Sequence, residues 1–379
     1  MPSAMHSAPL QARPAPGPAA RAHGPAIRLP RIAASTTPPG GTSAPGPVVA
    51  IVGGGAAGLA AAFFAATTTT ITPPPRVLIL ERTAECGKKI LVSGGTRCNA
   101  LPAVPVAPDG RGDFHNPGGG RQPALRAVLG GWTVDACRAW LRGEAGVDLV
   151  EEGPTAKLFP VTGKAASVRD GLVAAAERAG ASLCTGARVV VLERTPPLGP
   201  SSALPLPPWR LTMESGAIVH AHAVVLATGG LSYPGLGTDG DGHALAAALG
   251  HALARPHPAL APLRGVHPGG GGGEDGLSLT HLAGLAVRTV ALFVQEAAAA
   301  GSAKKRPKPA TPASPRPDLL FTHRGFSGPA ILDASHHVSA ALAEGRPPPG
   351  LLAQWVAGMG AAEWGAALDA AGGASPVAA

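Results

Sequence analysis

A β-branched run, Val48 to Val52, leads directly into Gly53-Gly54-Gly55-Ala56-Ala57-Gly58, and 23 residues after Gly58 a second apolar run, Arg76 to Leu80, ends in Glu81. The strong helix formers of Ala56 to Ala66 fill the interval, so the pattern is strand, tight turn, helix, strand. Each glycine in the motif has a separate physical reason. Gly53 permits the turn out of the strand, Gly55 lets the backbone approach a pyrophosphate, and Gly58 lets helix and strand pack closely. Ala57 lies in the first helical turn, where N–H groups point at phosphate charge. Glu81 stands where a carboxylate accepts hydrogen bonds from ribose hydroxyls, which makes 48–81 a dinucleotide-binding opening. Gly235-Leu236-Gly237-Thr238-Asp239-Gly240 fits the same glycine pattern but comes after Ser232-Tyr233-Pro234 instead of a strand. It reads as a turn.

The residues beyond Glu81 bear on the kind of dinucleotide. Cys86-Gly87-Lys88-Lys89 and Ser93-Gly94-Gly95-Thr96-Arg97-Cys98-Asn99 make a second glycine-rich, cationic loop. A cofactor extended over such a loop is more natural for FAD, although composition alone leaves an ordinary exposed turn open. Further on, helices are expected at Thr133 to Arg142 and Val168 to Gly180, and strands at Ala187 to Glu193, Trp209 to Met213 and, strong and buried, His222 to Thr228. Gly and Pro, 53 and 42 of 379 residues, concentrate in inserts near 102–123, 195–208, 268–276 and 301–317, which read as solvated loops. The formal charge of +8 comes from two acid-free windows: residues 1–80 hold five arginines, and 301–317 hold five cations. The basicity therefore belongs to a tail and a loop, not to a nucleic-acid-binding face. No apolar stretch approaches the roughly 18 to 20 residues of a membrane span. The four cysteines form no CxxC pair and have no histidine cluster at zinc spacing, so no metal is expected. Residues 1–47, rich in Ala, Pro, Ser and Arg and free of acids, have the composition of a disordered tail or an organelle transit peptide. A plastid is the expected destination, with mitochondrion or cytoplasm as alternatives.

Gly53 to Gly58, Gly87-Lys88-Lys89, Ser93 to Asn99, Leu158-Phe159-Pro160-Val161, Ala227-Thr228-Gly229-Gly230, Ser232-Tyr233-Pro234, Gly240-Asp241-Gly242, Pro258-Ala259-Leu260 and Leu320 to Leu332 occur in an order that resembles the BaiN/RdsA family of FAD-dependent oxidoreductases. The resemblance covers about 48–335. It implies an α/β fold: a three-layer dinucleotide (FAD)-binding domain with an inserted β-barrel-like domain and a helical subdomain. On this chain that divides into the tail 1–47, an FAD domain at 48–258, an inserted β-rich domain at 259–345 and a partial helical subdomain with its tail at 346–379. Two departures stand out. Thr96 occupies the third glycine of the family's SGGG. The family's closing FAD-domain segment has no counterpart after Ile331, so a truncated chain is expected.

The resemblance implies FAD contacts from Gly53, Gly55, Ala57, Gly58, Glu81, Lys89, Gly94, Gly95, Arg97, Asn99, Val189, Thr228 and Gly229. It also implies reduction of a carbon–carbon double bond conjugated to a carbonyl, in a small-molecule enone or a uridine of ribosomal RNA. A flavin-dependent amine oxidase and an inactive FAD-binding protein remain the alternatives. No second strand-linked glycine motif offers a nicotinamide site, so NAD(P)H is expected only as a transient reductant. Enone reduction needs a proton donor, and Cys98 and His323 alone combine titratable chemistry with a place in the two family-specific loops. Cys98 reads equally as a small buried hydrophobe, and His323 as a residue that only fixes its loop.

Overall fold

The computed structural model describes residues 46–103, 122–153, 157–195, 207–265, 282–295, 308–309, 318–356, 359 and 361–370. The expected tail short of Gly46, most of the 102–123 and 195–208 inserts, the glycine insert at 268–276 and, apart from Lys308 and Pro309, the basic insert at 301–317 lie outside the described residues. In chain order the elements begin with β1 (Val48–Val52), α1 (Ala56–Ala66), β2 (Arg76–Leu80), α2 (Lys88–Val92), β3 (Leu101–Pro102), α3 (Gln122–Gly131), α4 (Val134–Gly143), β4 (Leu149–Glu152), β5 (Lys157–Pro160) and α5 (Ala165–Arg178). Next come β6 (Ser182–Cys184), β7 (Val189–Arg194), β8 (Trp209–Met213), β9 (Ile218–Ala221), β10 (Ala223–Leu226), α6 (Asp241–Ala248), β11 (Leu263–Arg264) and β12 (Ala286–Val287). The last elements are β13 (Ala291–Gln295), β14 (Lys308–Pro309), β15 (Leu319–Thr322), β16 (Gly325–Ser327), α7 (Pro329–Ala343), β17 (Gly350–Gln354) and α8 (Ala361–Ala370). These fall into two compact units, each assembled from two chain segments: residues up to Cys86 with Ala179–Asp239, and Gly87–Arg178 with Gly240–Ala379.

The first unit is built on a four-stranded parallel sheet in the order β10-β1-β2-β6. Apart from Arg76 at the start of β2 and Ser182 at the start of β6, its strands are apolar, as in a parallel sheet covered by helices; Ala50, Ile51 and Ile79 are wholly buried. Helix α1 lays Leu59 and Ala62 on this sheet. An antiparallel sheet, β7-β8-β9, turns Leu192, Leu211, Met213 and Val219 inward and leaves Val191 and Ile218 exposed. The expected βαβ opening is present, and the α/β class holds. The strand expected at His222 to Thr228 is shorter and differently placed. β10 is an edge strand in which Val225 and Leu226 are each 37% exposed. An apolar run reads the same at the edge of a sheet as at its centre, so periodicity does not separate the two.

The second unit contains the sheet β3-β5-β4, with α2 packed on α5, and two further sheets, β11-β16-β15-β12 and β14-β13-β17, with α7. Thr133 caps α4, its Oγ1 accepting from the Ala136 N–H at 3.2 Å. Leu292, Leu319, Phe321, Ala330, Ile331 and Ala334 form the core, and Phe321 stacks on Trp355 at 6.1 Å between ring centres. The partial helical subdomain expected at 346–379 begins as a strand, β17. β17 pairs along its whole length with β13, so Leu351 and Ala353 pack against the core at a spacing of two. Among the described residues that follow, Ala361–Ala370 is helix. Within the basic insert, Lys308 and Pro309 also pair with β13.

Candidate cofactor site

In the first unit β1, β2 and β10 are parallel, so their carboxyl ends lie at the same edge, where ligands bind in open α/β sheets. β1 runs into Gly53, whose φ is +106° and whose backbone abuts the Ala227 carbonyl beyond β10; a side chain here would strike that oxygen. A methyl added at Gly58 would strike the Gly53 carbonyl, which is why helix and turn can close only around glycine. Gly55 is different. Its backbone is extended, and an added Cβ would have no neighbour within 4 Å, so the turn presents bare backbone to open space. As the N-cap of α1, Gly55 makes no side-chain cap bond, and no acid lies in the first turn. Ala56 and Ala57 are exposed. The positive end of an eleven-residue helix thus faces outward with no anion of its own.

Glu81 closes the other side. It is only 8% exposed, and its Oε2 accepts from the Gly54 N–H at 2.7 Å while Oε1 accepts from the Thr83 N–H at 2.8 Å. Two backbone bonds occupy half of a carboxylate's roughly four lone-pair positions, leaving acceptor capacity for ribose hydroxyls. Gly54 itself has no room for a side chain, since an added Cβ would come 2.5 Å from the Cys86 Sγ. An adenine dinucleotide such as FAD fits these residues: open glycine backbone and helix terminus for the pyrophosphate, and a fixed carboxylate for the ribose. Thr228 and Gly229 come just after β10 at the same edge. Val189 is buried in β7 as a core residue.

The glycine-patterned turn at 235–240 belongs to this neighbourhood. An added Cβ at Gly237 would come 2.8 Å from the Thr83 Cγ2, and one at Gly229 2.8 Å from the Thr238 Cγ2. Asp239 pairs with Arg82, the residue after Glu81, and lies 4.0 Å from Arg188. The hydrogen bond and charge of Arg82 hold the Asp239 carboxyl below its ordinary range, with Arg188 adding to the effect. Sequence reasoning misses Gly54, Thr83, Arg82 and Asp239. Only Gly54 carries a local signal, its place in the motif.

Residues 47–375 match the HI0933-like protein Rossmann domain family. The chain belongs to that family. The resemblance drawn from its loop motifs therefore holds. The 3-dehydro-bile acid delta(4,6)-reductase of Clostridium scindens is 30% identical over 190 residues, which are 50% of this chain and 41% of the reductase. The chain thus spans about two fifths of the length of that relative. Among solved structures, the glycine oxidase of Geobacillus kaustophilus is 16% identical with a TM-score of 0.32, covering 83% of this chain and 85% of that one. The 3-ketosteroid-delta4-(5alpha)-dehydrogenase of Rhodococcus jostii is 21% identical with a TM-score of 0.32, covering 50% of this chain and 46% of that one.

In this HI0933-like chain the remaining expected site residues belong to the second unit. Lys89 lies in the last turn of α2, and Gly94, Gly95, Arg97 and Asn99 are exposed in the loop beyond it. Arg97 pairs with Glu152 at 2.9 Å and lies over the Phe159 ring at 4.2 Å. Cys98 is buried beneath the loop; burial pushes its thiol above the ordinary value of 9.0, and a side-chain hydrogen bond with Ser93 only partly offsets this. The thiol is accordingly protonated at neutral pH. His323 is exposed in the two-residue turn between β15 and β16. Among the described residues no hydrogen bond joins it to Cys98.

Thr96 has φ +69°, a left-handed conformation that a β-branched side chain adopts only under strain. The strain costs roughly 1–3 kcal/mol, against about 0.4–1 kcal/mol of extra unfolded-chain entropy for glycine. Thr96→Gly is expected to stabilise the protein by about 1 kcal/mol, raising its thermal midpoint by roughly 2–4 °C. Calorimetry of the two proteins measures the difference.

Proposed function

We propose that this chain is an FAD-dependent oxidoreductase that reduces a carbon–carbon double bond conjugated to a carbonyl. One observation carries the cofactor part of this reading: Gly55 and the uncapped N-terminus of α1 face open space beside a buried carboxylate that retains acceptor capacity. The reaction class is supported by the family and by the named activity of the Clostridium scindens reductase. When bound, FAD supplies hydride-transfer chemistry at its ring system. The chain's own part is to hold the cofactor and manage the proton. The α1 terminus offsets pyrophosphate charge and Glu81 fixes the ribose. Cys98, protonated at neutral pH, or His323 gives a proton to the α-carbon of the enone.

The test uses the full chain loaded with FAD, reduced by dithionite without oxygen and mixed with a 3-oxo-Δ4 steroid or cyclohex-2-enone. Reoxidation of the flavin by the enone supports the reading. Cys98→Ala or His323→Asn should then slow that step by about 10² to 10⁴ while leaving reduction by dithionite unchanged. Flavin that ignores the enone, but is reduced by a primary amine and returns electrons to oxygen as peroxide, would replace the reading with an amine oxidase.

A further inference from the structure

We propose that residues 232–239 form a strap across the mouth of the glycine turn, latched by Arg82, Asp239 and Arg188, and that this latch sets how long the cofactor stays bound. The inference rests on the reading of the cleft as an FAD site.

The topology places the strap. β1 has β10 on one side and β2 on the other, all parallel. The strap leaves the β10 side just after Gly229, and the Thr238 methyl packs back on Gly229. Its far end reaches the β2 side, where Gly237 lies against Thr83 and Asp239 pairs with Arg82. A segment tied to both neighbours of β1 bridges the carboxyl end of β1, where Gly53 follows. Its interior is also tied. The Thr238 hydroxyl donates to the Ser232 carbonyl and lies 3.2 Å from the Tyr233 carbonyl, and Pro234–Leu236 forms a 3-10 turn. Tyr233 is held at φ +59°, a strained conformation for a non-glycine residue.

The attachments at the two ends differ in kind. At Gly229 the strap is held by van der Waals contact and by the chain itself. On the β2 side it is held by charge: Asp239 sits between Arg82 and Arg188, and Arg188 is in turn 3.3 Å from Glu214. The side chains of Arg82, Arg188 and Asp239 are 25%, 31% and 35% exposed, so the pairing is partly desolvated yet still within reach of salt. Arg82 is covalently next to Glu81, so opening the latch frees the chain beside the ribose carboxylate. Arg82 and Asp239 are positioning residues: they act on the cofactor through the strap and through Glu81.

The experiment measures FAD release from the full chain by the recovery of flavin fluorescence on dilution, for the parent, Arg82→Gln, Asp239→Asn and the double variant. Each single change is expected to speed release about five- to tenfold with little effect on the association rate. The double variant should release no faster than the faster single, because both changes break one pairing. Arg188→Gln should give a smaller effect. Raising salt from about 0.05 to about 0.5 M should speed release from the parent more than from the double variant, which keeps only the salt-sensitive contact of the α1 terminus with the pyrophosphate. Apo thermal midpoints within about 2 °C of the parent would show that folding is not the cause. Release rates that do not change, or effects that multiply in the double variant, would overturn the latch while leaving the FAD site standing. Failure of the parent to take up FAD would remove the cofactor reading and the latch together.

Discussion

Purified Gly55→Val protein is expected to fold as the parent does and to carry no flavin. The backbone at Gly55 is extended, a conformation valine favours, and its new Cβ would have no neighbour within 4 Å. The cost to the fold is therefore confined to a poorer N-cap, less than about 1 kcal/mol. The isopropyl group instead fills the space a pyrophosphate must enter and keeps it from the α1 terminus. A loss of at least about 100-fold in FAD affinity, roughly 2.7 kcal/mol, is expected. Gly58→Val should behave in the opposite way: its side chain would strike the Gly53 carbonyl, and the fold would fail before binding is in question. The ratio of flavin to protein absorbance, read beside the thermal midpoint, separates the two. Gly55→Val protein that retains yellow flavin would mean that the cofactor does not approach this turn.

Glu81→Gln is expected to damage fold and binding together. Both carboxylate oxygens accept a backbone N–H, from Gly54 and from Thr83. An amide offers one oxygen and one NH₂, so one of those buried donors would meet another donor. An unsatisfied buried group costs about 1–3 kcal/mol. The neutral amide also weakens the ribose contact, and about tenfold of FAD affinity should be lost, or roughly 1.4 kcal/mol. Thermal unfolding of the apoprotein and flavin titration would report the two losses independently. An unchanged apo midpoint would show that the Gly54 and Thr83 bonds contribute nothing net.

The opening βαβ unit and Glu81 are legible in the sequence because their signals are local: a glycine spacing, a β-branched run, and a carboxylate at a strand end. Thr96 is legible as a departure from the family's glycine, and its left-handed φ gives that departure a physical cost. Closure in three dimensions is not legible. Arg82 and Asp239 are 157 residues apart, and nothing in either neighbourhood marks the pair. The glycine pattern at 235–240 is a turn, as its context suggests, yet the turn packs on Thr83 and so belongs to the site edge. Gly237→Val would press on Thr83 and disturb the chain next to Glu81. β17 escapes a sequence reading because Leu351 to Trp355 fits helix and strand alike until β13 supplies a ladder. His323 shows the limit of motif position, for a place in a specific loop says nothing about which neighbours an exposed turn will have.

The discontinuity of the first unit has a consequence at the ribosome. β1 gains β2 within about thirty residues of synthesis, but its other neighbour, β10, is not made until residue 223, after the whole of Gly87–Arg178 has emerged. At roughly 5–20 residues per second that interval is on the order of 10–30 s. For that time the nascent chain carries β1 with one side bare, and the glycine turn lacks the Ala227 carbonyl against which Gly53 closes. A circularly permuted gene that encodes 179–239 ahead of β1 would deliver β10 first, so that β1 emerges with that neighbour already made.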